Sequence, residues 1–180
     1  MKKGPFEILS STPIYKNPWI NVREDAVIRP DGSQGIFGVV EMLPGVSVVA
    51  INKKMEVLLA YEYKYAIEEE SIELISGALD PGESIEQAAA RELKEETGMV
   101  ASEWIGLETV TPFTTVIRSP NHLMLAKGIH LDPDHVPDQN EPVTTISVPF
   151  KEAIEMVMDG RITHGASCVG ILKAARLLGL

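Results

Sequence analysis

Between Trp19 and Met42 the chain runs in two short extended stretches, INVREDAVI and GIFGVVEM, separated by PDGSQG. Asp31-Gly32 flanked by β-prone runs predicts a hairpin, with Pro30 supplying the fixed φ of the turn. Leu43-Pro44-Gly45 then interrupts the pattern, which predicts a boundary between a β-rich appendage over 1–43 and a main domain over 44–180. VSVVAIN, apolar and β-branched almost throughout, reads as a strand buried on both faces, and EVLLAYEYKYA as its neighbour. ESIELIS predicts a further strand running into a loop punctuated by Gly77, Pro81 and Gly82.

The clearest helix spans Ser84 to Thr97. Ser84 with Gln87 three residues on is a capping-box pattern, and Gly98 stands at the stop. Ile85, Ala89 and Leu93 form an i, i+4, i+8 stripe suited to a core, while Glu92, Glu95 and Glu96 lie away from its centre. WIGLETVT and NHLMLAKGI predict strands on either side of PFTTVIRSP, and LDPDHVPDQNEPV predicts a loop. TISVPF leads into a helix over about 151–158, and a last helix covers about 166–178. Hairpins and crossovers together predict an α/β fold with a mixed sheet packed between helices.

Composition alters this picture little: 44% hydrophobic and 23% charged residues over 180 suit a chain with a real core. The charge matters more. A formal net charge of −10 without a basic patch argues against nucleic acid or an anionic membrane as partner. An acidic enzyme still handles an anionic substrate when cations stand between the two. The one cysteine, Cys168, forms no intrachain disulfide, and no apolar stretch follows Lys2-Lys3, so a cytoplasmic protein is expected. Cys168 itself, among Val169, Ile171 and Leu172, reads as buried and inert.

Three carboxylates on one helical face repel one another unless a cation or water screens them. The flanks decide between a solvated face and a site. From Gly77 to Met99 the chain reads GALDPGESIEQAAARELKEETGM, which places Gly77, Glu83, Arg91, Glu92, Leu93, Glu95, Glu96, Gly98 and Met99 on every specified position of the Nudix box. The chain resembles the Nudix hydrolases. That resemblance implies an α/β/α sandwich with a mixed sheet and a Mg2+ site, with Mn2+ also accepted by such oxygen ligands. It also implies that Glu92 and Glu96 are the main metal ligands, that Glu95 assists, and that a carbonyl at Ser76 or Gly77 contributes. Arg91 and Glu83 would brace the loop and orient the carboxylates.

The β-rich N-terminal part, VLLAYEYKYA, Glu73 in ELISG and the ending GRITHGASCVGILKAARLL are similar to the ADP-ribose and nucleoside-diphosphate-sugar pyrophosphatases within that superfamily. This implies hydrolysis of a pyrophosphate bridge to a nucleoside monophosphate and a sugar phosphate, and a homodimer formed through the N-terminal β region. Trp19, Lys64, Glu73, Pro112 and Arg118 are the substrate-binding candidates. Two departures mark this chain: Glu62 and Lys64 stand where the subclass carries Gln and Arg, and Pro112 falls two residues early with no Gly after it. Lysine keeps the charge but not the two-pronged geometry that suits phosphate, which brings GDP-mannose or a related sugar nucleotide in beside ADP-ribose.

For the catalytic base, Glu141 is the one glutamate of the 131–143 loop; Glu95 and a loop aspartate remain alternatives. Hydrolysis of triphosphates or dinucleotides would keep the same helix with another pocket, and a sensor that binds without turnover is the remaining alternative. His164 reads as a neighbour of the last helix's cap rather than a ligand, and His122, His130 and His135 show no metal-like spacing.

Overall fold

The structure is a computed structural model that describes residues 1–133 and 144–180. Its contacts divide the chain into two compact units, one of residues 1–44 with 111–120, the other of 45–110 with 121–180. The ten residues 111–120 thus pack with the N-terminal strands, a grouping that chain order alone did not suggest.

The N-terminal unit is a five-stranded sheet. β1 (Lys2–Lys3), β2 (Phe6–Lys16), β3 (Ile20–Ile28) and β4 (Gln34–Met42) form an antiparallel meander, and β10 (Ile117–Arg118) adds to β4 in parallel. The β3–β4 hairpin closes at the Asp31-Gly32 turn that the alternation predicts, with Asp31 accepting from the Ser33 amide and hydroxyl. β2, which the pattern did not announce, slips register twice against β3, where extra residues bulge. Across one face Phe6 meets Phe37 edge to face, centroids 5.1 Å apart.

The larger unit is built on a six-stranded sheet. Its members are β5 (Gly45–Ile51), β6 (Glu56–Lys64), β7 (Glu69–Ala78), β9 (Glu103–Val110), β11 (Asn121–Lys127) and β13 (Thr144–Pro149), in the order β13-β6-β7-β5-β11-β9. Only β11 and β5 run parallel within it. β8 (Met99–Val100) and β12 (His130–Leu131) make a small separate ladder. Alternation along β5 divides the side chains between two cores. Val46, Val48 and Ala50 face α1 (Ile85–Thr97) and meet Ala88, Ala89 and Leu93. Val49 and Ile51 face α2 (Phe150–Met158) and α3 (Gly165–Leu178), against Phe150, Ala153, Ile171 and Ala174. Helices on both faces of a mixed sheet follow from strands that are apolar on both sides.

One irregularity of this sheet matters below. β7 pairs with β5 only over Gly45–Val48, and farther along β5 pairs instead with β6 through Ala50 and Ile51. β7 has therefore parted from β5 around Glu73 and Leu74. The Leu74 amide donates to the Ser167 hydroxyl of α3 at 2.8 Å, so the backbone group is satisfied by a side chain there.

Candidate active site

α1 begins as its sequence predicts. Ser84 Oγ accepts from the Gln87 amide at 3.2 Å and Gln87 Oε1 accepts from the Ser84 amide at 2.9 Å, closing the capping box. At the other end Gly98 takes φ +70°, a left-handed conformation open to glycine, and its N–H returns to the Lys94 carbonyl. Ala88, Ala89 and Leu93 are buried against the sheet. With the helix rotation set by that stripe, Arg91, Glu92, Glu95 and Glu96 are turned to the loop that follows β7.

Arg91 organises these carboxylates. Nε and Nη2 each donate to one oxygen of Glu83 at 3.0 Å, and Nη2 also donates to the Ala78 carbonyl at 2.9 Å. Nη1 donates to Glu92 at 2.7 Å and to Glu95 at 3.1 Å. A guanidinium carries five N–H donors, and every one has an acceptor here. The two-pronged grip lowers the Glu83 pKa below the usual carboxylate range and raises that of Arg91. Glu83 also accepts from the Asp80 amide at 3.2 Å within the loop, and Arg91 ties the loop to the helix at Ala78 and Glu83.

Glu92 and Glu96 lie deeper. Burial pushes the Glu92 pKa upward, against the pull of Arg91. Glu96 is pushed up to about 7, by burial first and by the Glu92 charge second, while the Ser76 amide works in the other direction. Glu62 raises it further and Lys64 lowers it, so the end of β6 acts on this carboxylate too. The Glu92 carboxylate lies over Gly77: a Cβ added there would come within 2.1 Å of it. Glu95 is the outlying member, its side chain 59% exposed.

These features test whether a divalent cation suits the site. Two crowded carboxylates with raised pKa values lie beside a strand end whose glycine leaves room for one of them, an oxygen-rich donor set of the sort that a hard cation takes with water. Among the described residues no three His, Cys, Asp or Glu side chains already converge as a closed shell. A cation here would therefore draw on Glu92, Glu96 and carbonyl oxygen together with water. The residues fit the group.

Comparison with known proteins places the chain in a family. A profile of the NUDIX domain matches residues 42–161, and one of the nucleoside diphosphate sugar hydrolase N-terminal domain matches residues 6–40. The chain belongs to the Nudix hydrolases. An ADP-ribose pyrophosphatase of Mycobacterium tuberculosis is 29% identical over 177 residues, 96% of this chain and 84% of that protein. One of Bacillus subtilis is 26% identical over 164 residues, covering 87% and 85%. A solved ADP compounds hydrolase shares the fold, with a TM-score of 0.85 at 21% identity over 97% of this chain and 94% of that one.

The remaining candidates of this Nudix chain divide between the units. Lys64 and Glu73 stand on the strand pair β6–β7 of the larger unit. Trp19, Pro112 and Arg118 belong to the N-terminal unit. Trp19 is 71% exposed. Arg118 lies 3.5 Å from Glu41, which also takes Arg23 at 2.7 Å. Arg23, Asp25, Phe6, Phe37 and Arg118 are among the walls of a pocket of about 560 Å3 inside that unit. Asp25, buried at its side, accepts from Ser11 at 2.6 Å. Glu141 lies outside the described residues.

Sequence reading missed part of the Lys64 surroundings. Lys64 is joined to Glu62 and lies 3.5 Å from Glu73. Glu73 is buried and accepts from Ser71 at 2.8 Å, and His164 lies 3.4 Å from it. The one available signal was register: alternation puts Glu62, Lys64, Ser71 and Glu73 on a common face, paired across β6 and β7. Nothing local pointed to His164.

Proposed function

We propose that this Nudix hydrolase cleaves the pyrophosphate bond of a nucleoside diphosphate sugar, with Mg2+ or Mn2+, to a nucleoside monophosphate and a sugar phosphate. ADP-ribose is the first candidate and GDP-mannose the second. The observation that carries this reading is the pair Glu92 and Glu96, the first lying over Gly77 and its charge acting on the second, backed by a fully engaged Arg91. The match of the N-terminal strands to a nucleoside diphosphate sugar hydrolase domain supports the substrate class.

A bound divalent cation would supply charge neutralisation at the bridging phosphates and a more electrophilic phosphorus. Glu92 and Glu96 would hold it, with Glu95 and the carbonyls of Ser76 or Gly77 assisting. Arg91 keeps Glu92 and Glu95 from spreading apart, and Glu83 keeps Arg91 in place. Lys64 offers a cation to a substrate phosphate, and Glu73 orients it. Trp19 is assigned to the nucleobase, and Arg118 with Pro112 to the sugar or phosphate side. For the proton of the attacking water, Glu141 is the first candidate and Glu95 the second.

The chain is also read as a homodimer through its N-terminal strands. Supporting this, Leu9, Ile14 and Tyr15 on β2 and Ile36 on β4 are each more than half exposed, apolar side chains that a second copy would cover. Sedimentation at micromolar concentration tests it: a 19.7 kDa species would remove the dimer. The chemistry is tested by product analysis with Mg2+ over ADP-ribose, ADP-glucose, GDP-mannose, UDP-glucose and the common triphosphates, with Glu96→Gln as control. Monophosphate release from a sugar nucleotide, lost in the variant, supports the reading. Turnover of triphosphates alone moves the protein to that other substrate class, and binding without turnover makes it a sensor.

A further inference from the structure

Glu73 shares its face of the sheet with Ile75, under α1, whereas α3 covers the opposite face. The two meet nonetheless, where β7 has parted from β5. Ser167 reaches the freed Leu74 amide there, and His164 Nδ1 lies 2.8 Å from Ser167 Oγ and 3.4 Å from Glu73 Oε2. His164 stands at the N-cap of α3 but makes no capping bond with its side chain. Its ring is turned to the carboxylate instead. Glu73 Oε1 is held by Ser71, and Oε2 is shared between His164 and Lys64.

The geometry points to His164 as a positioning residue for substrate binding: it steadies Glu73, and Glu73 with Glu62 holds the Lys64 ammonium at the end of β6. Lysine has a long, freely rotating stem and, unlike arginine, no planar fork to fix its direction. A lysine at this strand end therefore needs partners on several sides to present its charge at one place. Glu62 supplies one within β6; the other comes from a carboxylate steadied by a residue one hundred positions away in the chain. Burial opposes the Lys64 charge, yet Glu62 and Glu73 together keep its pKa above the ordinary lysine value, so the ammonium stays charged for an anionic ligand. This inference rests on the sugar-nucleotide reading above.

The experiment is a double-mutant cycle between His164→Ala and Lys64→Ala, with kcat and KM measured for the best sugar nucleotide in Mg2+. Loss of the His164 contact with Glu73 predicts a KM about fivefold higher in His164→Ala with kcat held within about twofold. The same substitution should add nothing in the Lys64→Ala background, and His164→Asn, which keeps a side-chain amide near Glu73, should restore KM. Effects that multiply, a fall in kcat at unchanged KM, or no change in His164→Ala would each overturn the assignment. A second readout needs no turnover: the Lys64 ammonium resonance in 1H–15N spectra should move in His164→Ala, and an unmoved signal overturns the anchor. A wild-type protein that leaves every sugar nucleotide intact sinks the hydrolase reading, and the Lys64 resonance then still decides the role of His164.

Discussion

The molecule carries two carboxylate clusters side by side, and they are built in opposite ways. At α1, Glu83 of the preceding loop and Glu92 and Glu95 of the helix converge on one arginine within a stretch of thirteen residues. Helical spacing does most of the assembly, and each N–H of Arg91 has its acceptor. At the end of β6 and β7, Glu62 and Glu73 converge on one lysine, and the assembly needs a hairpin, a parted sheet and the start of the last helix. The first cluster is rigid because its geometry is local. The second depends on the placement of α3, whose N-terminal end brings His164 to Glu73.

The comparison is broken most sharply at Glu96. Glu96→Gln keeps the shape but removes a proposed metal ligand, and the expected loss of kcat is about 1000-fold, the several kcal/mol that a bound cation supplies. Steady-state assays in saturating Mg2+ check it, and a loss below about tenfold would remove Glu96 from the proposed ligand set.

Gly77→Ala asks whether the carboxylate position matters more than the backbone. The new Cβ meets the end of a flexible side chain, not main chain, so the fold should survive with its melting temperature within a few degrees. Displacement of Glu92 should still cost about 10- to 100-fold in metal affinity or activity, the scale of disturbed metal surroundings. Retained activity would show that Glu92 can reach the cation from elsewhere. Arg91→Lys, which keeps the charge but has three donors in place of five and no planar fork, should cost a similar factor. It should do so mainly in kcat, in contrast to the KM effect foreseen at His164.

The smallest effect is on stability against pH. Glu96 holds its proton up to about pH 7 in the folded protein, against an ordinary value of 4.5. Between those values the native state binds more protons than the unfolded chain, so this group makes stability fall as pH rises through that window. In the presence of a chelator the melting temperature should decline slightly from pH 5 to 8. Mg2+ should restore it at pH 8 and do little at pH 5, where the carboxylate is protonated. Glu96→Gln should lack both responses, and identical pH profiles for the two proteins would contradict the crowding described here.

Much of the fold was legible because its signals are short-range. The capping box at Ser84, the stop at Gly98, the hairpin at Asp31-Gly32 and the two-sided apolar pattern of β5 each follow from residues within a few positions of one another. The helices at the C-terminal end begin within a residue or two of where the pattern places them. β2 was not legible, since its eleven residues are mostly exposed and carry no clean alternation to betray a face. Nor was the attachment of residues 111–120 to the N-terminal strands, which depends on a parallel pairing of β10 with β4, Ile117 with Val40 and Arg118 with Glu41, between residues far apart in the chain.

For the site the same division holds. The spacing Arg91, Glu92, Glu95 and Glu96 on one helix already determined that carboxylates and a guanidinium would share a face, because a helix turns 100° per residue whatever it packs against. The glycine at 77 and the acid at 83 were readable as part of the same pattern. Only tertiary structure decided that Glu92 lies over Gly77, that Glu96 is buried enough to hold a proton near neutrality, and that His164 meets Glu73 where the sheet opens. Those depend on which helix covers which face and where two strands part, and distances of that kind are set by packing among residues far apart in the chain.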